Sequence, residues 1–180
     1  MSSKKDFDLS IELLEKFFST PHVRKMLNHI YTIQKWRFEH WLQIELSLFF
    51  SKHKDNEIAE YYLEETFNTD KRKNKNSASA RPDIIFRKKH TMKDLYIFWE
   101  LKTAKRSSRC ISGMLKDMIK IESIKNNVKS YWLVGIHVYE APQKVKETII
   151  QKSIDLNKQL RKSEIYSKLI KGTEHSLTVF

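Results

Sequence analysis

Glycine is nearly missing from this chain: Gly113, Gly135 and Gly172 are its only three in 180 residues. A Walker loop or a dinucleotide fingerprint needs several glycines closely spaced, because its backbone must approach phosphate or turn at positive φ. Nucleotide-cofactor folds are therefore not expected. Cysteine occurs once, as Cys110, which rules out an intramolecular disulfide and leaves no cysteine cluster for zinc. The opening Met1-Ser2-Ser3-Lys4-Lys5-Asp6 carries no signal-peptide core, and no apolar run nears the ~20 residues of a membrane span. A cytoplasmic protein without membrane contact is the expectation. The seven histidines (His22, His29, His40, His53, His90, His137 and His175) are scattered without zinc-protease spacing. No serine sits in a G-x-S-x-G elbow, and Cys110 lacks the surroundings of a nucleophile.

Acids are the minority charge, 22 against 34 Lys and Arg, for a formal net charge of +12. Such an excess on a small domain predicts a polyanionic partner, nucleic acid being the commonest. An anionic membrane is the rival, but no helical segment shows the clean basic face it would need. Hydrophobic residues at 40% and aromatics at 12% are enough for one domain with a substantial core.

Two apolar segments carry the chemistry. Arg81-Pro82-Asp83-Ile84-Ile85-Phe86 and Phe98-Trp99-Glu100-Leu101-Lys102 both read as strands. Alternation puts Glu100 and Lys102 on one face and Leu101 on the other. A hairpin whose loop is closed by Lys89 and Asp94 sets Asp83 opposite Glu100, with Cβ atoms ~5 Å apart. The same register pairs Ile85 with Phe98 and Arg87 with Tyr96 on the carboxylate face, and Ile84 with Trp99 and Phe86 with Ile97 on the other. Aromatic and β-branched pairs of this kind stabilise a sheet. Two carboxylates so close repel each other unless a proton or a divalent cation lies between them.

Around these strands the pattern is α/β. Leu9 to Phe18 and Pro21 to Ile30 predict two short helices, Ile33 to Phe50 a longer one, and Ile58 to Phe67 a first strand. Residues 69–81 form a basic loop with Lys71, Arg72, Lys73, Lys75 and Arg81 against Asp70. Lys105, Arg106 and Arg109 follow Lys102. A helix is expected from Ser112 to Asn126, then a doubly buried strand from Tyr131 to Tyr139, which the helical crossover makes parallel to the strand of Glu100. Pro142 opens a helix running to Arg161, and residues 176–180 suggest an edge strand. The chain thus divides into a helical N-terminal extension (1–32), a core (33–140), and a C-terminal helix and tail (141–180).

Asp83 after Pro82, with Glu100-Leu101-Lys102 on the next strand, resembles the motif of the PD-(D/E)xK nuclease superfamily. That resemblance spans roughly residues 34–140 and implies a restriction-endonuclease-like core: a central mixed β-sheet flanked by helices in the order αβββαβ. It implies Mg²⁺, with Mn²⁺ as a substitute, held by Asp83, Glu100 and the main-chain carbonyl of Leu101, with Lys102 orienting the attacking water. It also calls for a glutamate on the helix before the first strand. Glu45, surrounded at helical spacing by Trp41, Leu42, Leu48 and Phe49, is the first choice, placed ahead of a core glutamate paired with a lysine or arginine. Glu39 is the weaker alternative. Lys71, Arg72, Lys73, Lys75, Arg81, Lys105, Arg106 and Lys116 are expected to hold the nucleic-acid backbone, DNA in preference to RNA.

The expected activity is a metal-dependent endonuclease hydrolysing phosphodiester bonds. Two alternatives stay open: a nucleic-acid-binding protein on the same fold without catalysis, and an assembly subunit whose Asp83 and Glu100 only pair with neighbouring lysines. A chain this short leaves little room for a recognition domain, so structure-selective cleavage or specificity from a partner protein is expected; a homodimer would bring two sites to two strands, and the N-terminal helices are the expected partner or dimer surface.

Overall fold

The computed structural model describes residues 4–53, 57–70, 79–93, 95–124 and 128–180. Helices α1 (Lys4–Ser19), α2 (Pro21–Thr32) and α3 (Glu39–His53) come first. Strands β1 (Ile58–Leu63), β2 (Phe67–Asn68), β3 (Ser79–Ala80), β4 (Ile84–Lys88) and β5 (Tyr96–Ala104) follow. Then come α4 (Ser107–Glu122), β6 (Val128–Val138), α5 (Pro142–Asp155), β7 (Tyr166–Leu169) and β8 (His175–Val179). Six strands form one sheet in the order β1-β4-β5-β6-β8-β7, and β2 pairs with β3 apart from it. Only β5 and β6 are parallel neighbours, joined through the crossover helix α4, so the sheet is mixed. The protein is α/β.

Alternation along β5 divides the core. Ile97, Trp99 and Leu101 face α1, α2 and α3, in a cluster with Leu13, Leu14, Phe17, Leu27, Leu42, Leu46 and Phe50. Phe98 faces the opposite way, with Ile85, Leu133, Met114, Leu115 and Ile149, beneath α4 and α5. Each fully buried leucine or phenylalanine contributes about 1.5–3 kcal/mol relative to exposure. Gly135 on β6 lets α4 come close: a Cβ there would stand 2.6 Å from Met114 Sδ and 2.9 Å from Cys110 Sγ.

The N-terminal helices are a layer of the core rather than an extension of it. The apolar stripe of α1 must be buried somewhere, and it lies against the sheet. Trp99 Nε1 donates to Ser10 Oγ at 3.1 Å, while buried Asp6 accepts from Lys129 Nζ at 2.9 Å and Ser130 Oγ at 3.3 Å. This uses much of the surface expected to dock a partner.

Three further boundaries differ from expectation. The third helix begins at Glu39 instead of Ile33, because Gln34 adopts φ 53° and Lys35 N–H closes onto Ile30 O at 3.2 Å, ending α2. Left-handed Asn157 (φ 53°) likewise stops α5 well before Arg161. The C-terminal strand is not an edge: β8 lies between β6 and β7 and is buried along its length. No helix among the described residues is long and apolar enough to cross a membrane.

Candidate active site

Strand β4 pairs with β5 as Ile84 to Trp99, Ile85 to Phe98 and Phe86 to Ile97, the register expected from cross-strand chemistry. Asp83 stands one residue before the first of these pairs and Glu100 one residue after it, so the two acids share a step at the end of the ladder. Asp83 is held from two sides. Its Oδ2 accepts the Leu101 N–H at 2.6 Å, and its Oδ1 accepts from Gln43 Nε2 on α3 at 2.6 Å.

Lys102 lies two residues past Glu100 and therefore on the same side of β5. Its Nζ is 2.7 Å from Asp117 Oδ2, and Lys120 Nζ is 2.5 Å from Asp117 Oδ1. The Asp117 side chain is 7% exposed and engages both lysines. Gly113, one turn earlier on α4, makes room for Lys102: an added Cβ would stand 2.9 Å from its Cδ and 3.1 Å from its Cγ. Among the described residues, Asp83 and Glu100 belong to no ion pair.

The electrostatics follow from that distribution. Burial pushes Asp83 up to about 6, opposed by the Leu101 N–H and Lys102 and reinforced by the Asp117 and Glu64 carboxylates. Burial pushes Glu100 higher, to about 8, with repulsion from Asp83 and Asp117 added and Lys120 and Lys102 opposing. Burial also works against the charge of Lys102, but its bond to Asp117 prevails and holds its pKa above the ordinary lysine value. At neutral pH the arrangement is a protonated lysine beside two acids that retain a proton between them.

Glu45 does not join the carboxylates. Its Oε2 lies 2.9 Å from His22 Nε2 of α2, and Gln43 takes the position facing Asp83. Residues 43 and 45 project about 200° apart around a helix, so both cannot face the sheet's acids. Glu39 comes nearer: its Oε1 accepts the Thr103 N–H at 2.9 Å, and its charge acts on Lys102. Arg81 is exposed and donates to Thr66 Oγ1 at 3.2 Å. Lys105, Arg106 and Lys116 are exposed. Lys71, Arg72, Lys73 and Lys75 lie outside the described residues.

Gln43, Asp117 and Lys120 are the neighbours that the sequence reading missed. Asp117 carried a signal, since it falls within the apolar stripe Cys110, Met114, Met118 and Ile121 of α4, where a lone acid needs a partner. Gln43 carried less, because α3 has large apolar residues on several sides and its inward face cannot be read from periodicity.

Comparison with family models, with curated proteins and with solved structures finds no match for the chain. Among the described residues, no group of three or more His, Cys, Asp and Glu side chains is disposed to hold a metal ion. The donor set is two carboxylates at one end of a strand pair. This suits Mg²⁺ or Mn²⁺, hard cations that bind one or two carboxylates and keep several waters. It does not suit a ligand-saturated zinc centre.

Proposed function

We propose that the protein is a metal-dependent nuclease of the PD-(D/E)xK type, hydrolysing phosphodiester bonds in nucleic acid, DNA before RNA. One observation carries the reading. Asp83 and Glu100 face each other at a strand end and, among the described residues, belong to no ion pair, while Lys102 and Lys120 are both engaged by Asp117. The order α3, β1, β4, β5, α4, β6 supports it, as a helix, strand meander, crossover helix and parallel strand are what a restriction-endonuclease-like core would need. A net charge of +12 supplies the attraction for a polyanion.

Asp83 and Glu100 would hold Mg²⁺, which when bound supplies a Lewis acid and a water of lowered pKa. Gln43 and the Leu101 N–H fix the Asp83 carboxylate from two directions, so its free lone pairs keep one orientation. Lys102, kept protonated by Asp117, sets positive charge where negative charge builds on the phosphoryl oxygens as the ester bond breaks. Asp117 touches Lys102 rather than the reacting atoms, and is a positioning residue.

The test is cleavage of supercoiled plasmid, single-stranded DNA, branched DNA and RNA by the wild type and Asp83→Ala, each with Mg²⁺, with Mn²⁺ and with EDTA. Metal-dependent cutting that disappears in Asp83→Ala is the expected outcome. Binding without cutting by the wild type would make the protein a nucleic-acid-binding module on this fold, and neither would remove both readings.

A further inference from the structure

Beyond Lys102, β5 ends in a cleft of about 730 Å³ that nothing in the hydrolytic site uses. Six cations from three separate segments line it: Lys35 and Arg37 between α2 and α3, Lys105, Arg106 and Arg109 at the β5–α4 corner, and Lys152 on α5. No acid is among its lining residues, and among the described residues none of the six is in an ion pair. Lys105 Nζ is placed over the Trp36 ring, 5.5 Å from its centroid. Elsewhere the lysines flanking an acid are used on it, as at Asp117, Asp6 and Glu140. Here six like charges line one cleft with no acid among them, and are left to repel one another. Such a concentration of unbalanced charge favours an anionic occupant, and the N-terminal end of α4 at the same corner adds to its positive potential.

Size narrows the occupant. A small anion displaces only a few waters, each about 30 Å³, and would leave most of the cleft empty. An extended chain of phosphates fills it. The separation is also informative: Lys105, just past the end of β5, follows Glu100 by five positions, about 16 Å at the strand rise. That is roughly five nucleotides at the 3.4 Å axial spacing of a duplex strand. We infer that this cleft binds the phosphodiester backbone of the strand being cut, roughly five nucleotides from the scissile bond. The inference rests on the nuclease reading of Asp83 and Glu100. It assigns to Lys35, Arg37, Arg109 and Lys152 a role in substrate affinity, independent of base identity.

The experiment measures binding of a fluorescent DNA oligonucleotide by anisotropy across a salt series in EDTA, for wild type, Asp83→Asn and Lys35→Ala/Arg37→Ala/Arg109→Ala. The three substituted cations are exposed and unpaired, so circular dichroism and the melting temperature should stay at wild-type values. Removing three phosphate contacts should lower the slope of log affinity against log salt by about 2–3, with Asp83→Asn retaining the wild-type slope. A change of less than one in the triple variant overturns the inference. So does tight binding to phosphatidylserine vesicles with none to DNA. In Mg²⁺, the triple variant should cut long substrates poorly but match wild type on substrates that end within about four nucleotides of the cut. If wild type cuts nothing while the triple variant alone loses binding, the nuclease reading fails and the groove stands. If wild type cuts and the triple variant binds and cuts equally well, the groove fails and the nuclease stands.

Discussion

Glu100→Gln should stabilise the metal-free protein while abolishing its activity. Unfolded, Glu100 titrates near its ordinary value of 4.5; folded, burial and the facing Asp83 raise it to about 8. Between those values the unfolded chain gives up a proton that the native state keeps, so native stability falls as pH rises, by about 1.4 kcal/mol per unit at most. Below the lower value both states are protonated and nothing is lost; above the upper one the penalty is complete. Water reaching a half-buried carboxylate reduces the full sum to on the order of 2 kcal/mol at pH 8. Glutamine keeps the shape without the charge, and also relieves Asp83 of its repulsive neighbour. In EDTA at pH 8 the variant should melt roughly 4–8 °C above wild type, a span set by the length of the chain, and the gap should close toward pH 4.5. Adding Mg²⁺ should raise the wild type and leave the variant behind, because ion binding replaces the shared proton. Thermal melts across pH 4–9, with and without metal, read all of this. A gap that does not vary with pH would show that Asp83 and Glu100 are not a strained, proton-sharing pair.

Gly113→Ala should separate stability from activity in the same way. Its Cβ would meet Lys102 Cδ at 2.9 Å and displace that side chain. A helical glycine replaced by alanine gains about 0.5–1 kcal/mol, so melting should hold or rise while metal-dependent cleavage falls at least tenfold, by analogy with the ~100-fold cost of a 1 Å misplacement. Asp117→Asn leaves Lys102 and Lys120 without their common acid. It should cost about 2–3 kcal/mol in urea unfolding, less than a fully buried pair because both lysines reach water, and move the alkaline limb of the pH–rate profile downward as Lys102 loses its proton sooner. Glu45→Ala breaks only a contact to a largely exposed His22. Cleavage should stay within twofold of wild type and stability within about 1 kcal/mol; a tenfold loss of cleavage would return Glu45 to the site.

What could be read before the structure was local and periodic. The β4–β5 register follows from pairing β-branched with aromatic side chains, and a one-residue slip would have reversed both faces. The crossover from β5 through α4 to a parallel β6 follows from the long apolar segment Tyr131 to Tyr139, which no half-exposed strand would carry. What could not be read depended on which side of a helix faces inward. Helix α3 has apolar residues around much of its circumference, Ile44 and Leu48 remaining exposed, so an acid among them is no guide to direction. Gln43 faces Asp83 because α3 starts at Glu39, and that start depends on the left-handed turn at Gln34 and on the Phe38 N–H bonding Thr103 Oγ1 at 3.1 Å. Long-range contacts of this sort leave no pattern in a local window.

The distribution of lysines favours the proposed reading of the site over its alternatives. Were Asp83 and Glu100 structural acids of an assembly protein, the lowest-energy use of Lys102 and Lys120 would be to neutralise them, since an unpaired buried carboxylate is among the costliest groups a fold can carry. Both lysines are instead 2.7 Å or less from Asp117, a buried residue of α4 that meets Lys102 from β5 and Lys120 from its own helix. Gly113 keeps Lys102 in that position by yielding its own side chain. The fold thus supplies two cationic partners to one acid and, among the described residues, no ion pair to the two that face each other at the strand end. A pure binding surface gains nothing from that arrangement, because two acids would repel the phosphates that the basic cleft beyond Lys102 attracts. It becomes favourable when a divalent cation sits between the acids and the phosphate, reversing the sign of the local field.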